Sequence, residues 1–240
     1  MPTMAESVAL NRFWWRWVGA NAVAEFVGLG VVALAGFVVA PRLMQTPDAL
    51  HVVAFAAFAV GLGAFEGAVV GWAQAQVLRR RLPALRGWVR ATVLGAMTAW
   101  AVGMLPSTLV KLSAAPGGAP AAKPALVVIL LLAAGMGAVA GPILAAFQWR
   151  SLRGALANGS LRWLPANAAA WAAGMPLIFL GIQAHEVTHS ALLVALAIAL
   201  SLLAAGAVVG AIHGLVLIGL LRRQRIAERG MQGHTPPAGA

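Results

Sequence analysis

The chain has 240 residues, of which 61% are hydrophobic and only 10% charged, and its mean hydropathy is +0.87. Six acidic residues cannot help cover a soluble surface of that size, so the composition excludes an ordinary soluble domain and points to an all-α integral membrane protein. The formal charge of +11 lies in short basic groups between apolar runs, which reads as a topology signal and not as a nucleic-acid face; zero cysteine excludes disulfides, thiolate metal sites and cysteine nucleophiles.

A helix crossing a bilayer needs about 20 apolar residues. After a short N-terminal segment, 1–16, spans are expected at 17–40, 50–78, 88–110, 125–149, 163–183 and 190–221. Ala33-Leu34-Ala35 resembles a signal-peptide cleavage site, but the internal repeat described below argues that the first span is kept. Arg12 and Arg16 precede span one, Arg79, Arg80, Arg81 and Arg86 follow span two, Arg150, Arg153 and Arg162 follow span four, and Arg222, Arg223, Arg225 and Arg229 follow span six. The opposite loops carry little charge: Arg42 with Asp48, Lys111 with Lys123, and His185, Glu186 and His189. Positive-inside bias therefore places both termini in the cytoplasm. Trp14, Trp15, Trp17, Trp88, Trp149 and Trp163 cluster at the basic ends, as an aromatic belt at headgroup level would. The loop 113–124, of Ala, Pro and Gly with one Lys, is expected to be flexible, and the basic tail 222–240 to be disordered with weak attraction to anionic lipid.

The spans repeat. Gly63-Ala64, Gly67, Gln74, Leu78 and Arg79 match Gly137-Ala138, Gly141, Gln148, Leu152 and Arg153 without gaps, and span six continues the pattern as Gly206-Ala207, Gly210, Leu221 and Arg222, with Leu217 at the glutamine position. Trp17, Ala20, Asn21 and Gly28 likewise match Trp163, Ala166, Asn167 and Gly174, while span three keeps Trp88 and Ala91 and puts Thr92 at the asparagine position. The transmembrane domain 17–221 thus reads as three tandem two-helix repeats, about 17–78, 88–149 and 163–221, which a pseudo-threefold axis along the bilayer normal can relate. Gly-x-x-x-Gly pairs put two small residues on one face, so close helix packing is their favoured role. This combination of glycine pairs, glutamine, Leu-Arg and Trp-x-x-Ala-Asn resembles uncharacterised multi-pass membrane proteins of bacteria over most of the membrane region. The resemblance implies a bacterial inner (cytoplasmic) membrane and no particular activity.

Glu25, Glu66 and His213 are the ionisable residues well inside spans, where a charge costs about 2.5–3.5 kcal/mol on insertion scales, so each is a functional candidate. Measured along the helices from Arg16, Arg79 and Arg222, they are expected at comparable depth, where they could relay protons or hold a cation; the simpler reading is that they tie helices together. Below them, Asn21, Gln74, Gln148 and Asn167, with Thr92, form a polar layer, for which interhelical hydrogen bonding is favoured over a water-filled vestibule. His185-Glu186-Val187-Thr188-His189 matches H-E-x-x-H, in which two imidazoles on one helix face bind zinc, but it falls in a loop without an obvious third ligand; a helix cap at Thr188 or Ser190 explains the region more simply. Gly28-x-Gly30-x-x-Ala33 sits inside an apolar span with no preceding strand and is not a dinucleotide turn. No phosphate loop or serine elbow is present, and no cofactor is expected. The functional expectations rank as a small-solute or ion transporter or channel, coupled to protons through Glu66, Glu25 and His213; then a non-catalytic membrane scaffold or assembly partner; then an intramembrane zinc hydrolase.

Overall fold

The computed structural model describes residues 4–43, 48–113, 123–156 and 160–232. It is all-helical: α1 (Met4–Leu43), α2 (Ala49–Leu78), α3 (Trp88–Ser113), α4 (Leu126–Ala155), α5 (Trp163–Ile182) and α6 (Ala191–Gln232), with short 3-10 turns at Ser160–Arg162 and Gln183–Glu186. Each helix covers one expected span, and all six are long and apolar enough to cross a membrane. Most of the expected loop 113–124 lies outside the described residues.

Local chemistry sets the helix ends. Asp48 caps α2 by accepting the backbone N–H of His51 at 2.8 Å, and that bond holds its carboxyl below the usual aspartate range. Ser190 caps α6 in the same manner, accepting from Leu193 N. Between α2 and α3 the chain turns at Gly87, whose φ of +71° is a left-handed conformation that suits glycine. Two ends differ from expectation. The helix α1 begins at Met4, and α6 continues past Arg222 to Gln232, so 222–232 is helical where a disordered tail was expected; only 233–240 lies outside the described residues. Apolar and helix-favouring residues continue the register through Ile226 and Ala227, and no proline or glycine interrupts it before Gly230.

Each helix packs on the next in sequence, and α6 packs back on α1, so the six helices close into a ring. Glycines set the closest approaches. A Cβ at Gly67 would lie 2.8 Å from the Ala96 Cβ and one at Gly210 would lie 2.9 Å from the Asn21 Cβ, while one at Gly137 or Gly141 would overlap the backbone of α5 at Trp171 or Asn167. The outward faces carry large exposed apolar side chains, among them Phe37, Leu131, Leu200 and Leu215. Such a surface suits hydrocarbon and not water. The larger of two core clusters among the described residues lies at the basic end, where Phe13, Trp17, Leu78, Trp88, Leu152, Trp163 and Leu217 pack together.

Candidate functional site: two polar layers in the helix ring

The interior holds two polar layers of different character. The lower one, nearer the arginines, is built on Trp17, Trp88 and Trp163, which are 0%, 3% and 0% exposed. Their rings meet: Trp163 lies 6.4 Å from Trp17 and 6.0 Å from Trp88, centroid to centroid. Each indole N–H is a donor that must find a partner in an apolar interior. Trp88 donates to Gln74 Oε1 at 3.0 Å, Trp163 to Gln148 Oε1 at 2.9 Å, and Trp17 to His213 Nδ1 at 3.0 Å. The amides pass the bonding on. Gln74 Nε2 donates to Asn21 Oδ1 at 2.8 Å, and Gln148 Nε2 donates to Thr92 Oγ1 at 3.0 Å and more weakly to Gln74 Oε1 at 3.4 Å. Asn21, Thr92 and Asn167 each donate back to the carbonyl one turn earlier, of Trp17, Trp88 and Trp163 respectively. All of these polar side chains are buried, so the layer is a cross-linked plug joining α1, α2, α3, α4, α5 and α6.

Two expectations need correction here. Trp17, Trp88 and Trp163 are not belt residues but the centre of the plug, whereas Trp15, 61% exposed, does face outward. His213 does not share a level with Glu25 and Glu66. It sits against Trp17 and Trp163, at 5.5 and 5.1 Å between centroids, while Glu25 lies about 12 Å further along α1 from Trp17. The reason is the continued α6 helix: Arg225 pairs with Glu6 at 3.6 Å, so Arg222 lies below the level of Arg16 and is a poor ruler for depth. The role of His213 follows from its bond. Leu217 cannot accept an indole proton, and His213, one turn earlier on the same face, accepts it through Nδ1, which assigns the remaining ring proton to Nε2.

The upper layer is sparse. Glu66 is buried on α2 and its Oε2 accepts the Trp100 indole N–H at 2.6 Å. Glu25 is 1% exposed on α1, and its Oε2 finds no hydrogen-bond partner among the described residues. The two carboxyls are close enough to interact electrostatically: a Cβ at Gly28, one turn beyond Glu25, would lie 3.2 Å from Glu66 Cγ. Beside Glu66 opens a cavity of about 370 Å³, lined by Trp100, Met104, Met136, Trp171 and Met175 among other apolar groups. Among the described residues, Glu66 is the only ionisable side chain on its wall. Its size falls in the range of small-ligand pockets, about 300–1,000 Å³, and its lining of thioethers and indoles is adaptable and polarisable.

The sequence singled out the amides and acids but missed Trp100, Trp171 and the methionines. The available signal was the shared Trp-Ala-x-Gly-Met of Trp100–Met104 and Trp171–Met175, whose tryptophan and methionine both line the cavity. The H-E-x-x-H string is elsewhere, at the end of the ring away from the arginines. Its first part is a 3-10 turn and Thr188 to Ser190 are not helical, so His185 and His189 do not share an α-helical face. Glu186 is engaged by Lys123 and by His185 Nε2 at 2.8 Å; the Lys123 hydrogen bond, its charge and that of His185 hold the carboxyl below its ordinary range. Among the described residues no group of three or more His, Asp or Glu side chains converges. No protein-family model matches the chain, and no curated protein or solved structure matches it.

Proposed function

We propose that the chain is a six-span protein of a bacterial inner membrane, with both termini cytoplasmic, that carries a small, largely apolar cation in exchange for protons. Its six helices form three two-helix units about a pseudo-threefold axis. The threefold use of one pairing supports that arrangement: an indole from the first helix of a unit is accepted by the second helix of the preceding unit, as Trp88 to Gln74, Trp163 to Gln148 and Trp17 to His213. The grouping of arginines at one end and the exposed apolar flanks support membrane insertion in that orientation.

The observation that carries the transport reading is the cavity that reaches Glu66. It lies in the half of the ring away from the arginines, with the packed tryptophan plug in the other half, as a carrier waiting on one side would have it. Its apolar, aromatic wall suits an apolar body, and its one carboxyl suits a positive charge. Glu25, buried behind it, provides a second carboxyl, so the pair is a place to exchange one cation for one proton. A second reading, a non-catalytic scaffold, is favoured by the pairing of all three indoles of the plug.

One experiment separates them. The cysteine-free chain, reconstituted into proteoliposomes, is given a transmembrane pH gradient and ethidium as the probe cation. Wild type is expected to move ethidium only while the gradient lasts, and Glu66→Gln to abolish that movement while keeping the fold. In parallel, Met175→Cys should react with an impermeant thiol reagent from outside and Gln148→Cys should not. Gradient-driven flux that survives Glu66→Gln removes the carboxylate from the mechanism; absence of flux in wild type, with Met175→Cys unreactive, leaves the scaffold.

A further inference from the structure

A second concave site lies at the basic end, on the outside of the ring, between the start of α1 and the end of α2. It is an open groove of about 600 Å³. Its polar wall is Arg12 and Arg16 from α1 with Arg80 and Arg81 from the turn that follows α2, and its apolar wall includes the exposed Met4 and Val8. Among the described residues no carboxylate lines it. The nearest acid on α1, Glu6, pairs with Arg225 of α6 at 3.6 Å and is not among the residues that line the groove. Arg81 is anchored, donating through Nη2 to the Ala9 carbonyl at 2.9 Å, which holds the two helix ends together and fixes the spacing of the groove. Arg12, Arg16 and Arg80 are exposed.

We propose that this groove is a binding site for one anionic phospholipid of the cytoplasmic leaflet, its phosphodiester held by Arg12, Arg16 and Arg80 and its first acyl carbons laid against Met4 and Val8. The charge argument is complementarity: four cations converge, and a guanidinium presents a planar fork that matches phosphate oxygens two at a time. The argument for a lipid over free phosphate is the other wall. A hydrated inorganic anion gains nothing from the exposed Met4 and Val8, whereas an amphiphile buries its glycerol and upper chain there. Position agrees, because the groove sits at the level of the arginines and of the exposed Trp15, where headgroups would lie in the membrane placement proposed above, on which this inference rests. The site is independent of the cavity at Glu66 and of whether the protein transports anything. It would tie the first helix to the second at the foot of the plug.

The test uses the full chain in nanodiscs of phosphatidylcholine with a minor fraction of phosphatidylglycerol, followed by native mass spectrometry of the lipid retained on release. Wild type is expected to retain one phosphatidylglycerol, and the variant R12Q/R16Q/R80Q to hold it at least about tenfold more weakly. The matched variant R150Q/R153Q/R162Q removes the same charge elsewhere at the basic end and is expected to retain the lipid as wild type does. Equal losses in both variants would mean diffuse surface attraction and overturn the site. Displacement of the lipid by inorganic phosphate at millimolar excess, roughly, would assign the groove to the free anion and overturn the lipid assignment. A photoreactive phosphatidylglycerol should cross-link to the peptide bearing Met4 and Val8; cross-links spread evenly over the outward faces would also overturn it. Failure of the chain to enter nanodiscs at all is a distinct outcome and would remove the membrane placement with the site.

Discussion

The two halves of the ring are built from the same kinds of helix and yet solve opposite problems. At the basic end, three buried tryptophans, four amides, a threonine and a histidine hand hydrogen bonds around the interior until each indole N–H is accepted. In the distal half, two carboxyls share the interior with few partners, Glu25 Oε2 has none among the described residues, and an apolar cavity stands beside them. The comparison teaches where stability and where activity are to be sought. A polar group satisfied in a dry interior fixes geometry, whereas a polar group left wanting a partner is a place for a ligand or a proton.

The largest expected effect breaks the scaffold that both halves share. Gly137 lies so close to the Trp171 backbone that any Cβ would overlap it, and backbone, unlike a side-chain tip, cannot swing aside. Gly137→Val is therefore expected to lower unfolding stability in detergent by about 3 kcal/mol or more, or to prevent assembly. Gly135→Ala, two residues earlier with open space at its Cβ, is the control and should unfold as wild type does. Equal behaviour of the two variants would show that α4 and α5 are not held at this distance.

A smaller effect sharpens the plug itself. His213→Ala removes the acceptor of the Trp17 indole and leaves a buried N–H unpaired, at a cost of about 1–3 kcal/mol. If α6 is the third copy of a common unit, the lost glutamine can be put back: Leu217→Gln in the His213→Ala background restores an amide at the position that Gln74 and Gln148 occupy on α2 and α4. Partial recovery of the midpoint in thermal unfolding, read by tryptophan fluorescence, is the expected outcome. If the double variant is no better than His213→Ala, the threefold correspondence does not extend to this site.

How much of this the sequence carried differs between the halves for a physical reason. Hydropathy placed all six helices, because a span is a statement about average solvent and averages survive error at the ends. The glycine pairs and the Asn21, Gln74, Gln148 and Asn167 layer were legible because small and polar residues are rare enough in apolar spans to mark one face. The inward direction of Trp17, Trp88 and Trp163 was hidden, since a helix that is apolar all round has no stripe to say which side meets its neighbours. Their spacing did contain the answer: each stands one turn before a polar-layer residue, Asn21, Thr92 or Asn167, and so shares its face. The depth of His213 was misjudged because arginines mark a membrane edge only if the helix stops there, and α6 does not. The cavity was not legible at all, being a property of side-chain fit among Trp100, Trp171 and three methionines from separate helices.

The smallest effect tests whether the two halves are energetically separate. Asp48 begins α2 at the distal end, and its carboxyl is held below the ordinary range by the His51 backbone N–H first and the His51 side chain next. A depressed carboxyl contributes stability that is complete above its unfolded value near 3.8 and disappears as pH falls through the lower folded value. Amide protection of the first turn of α2 should therefore decline on acidification below that point, whereas Asp48→Asn, which can cap without titrating, should show no such decline. The loss should stop there. Protection around Gln74, at the other end of the same helix, depends on Asn21 and Trp88 and contains no carboxyl, so it should stay constant over the same pH range. A parallel fall at Gln74 would mean that α2 opens as one unit and that the plug, for all its bonds, is only as stable as the cap at the far end.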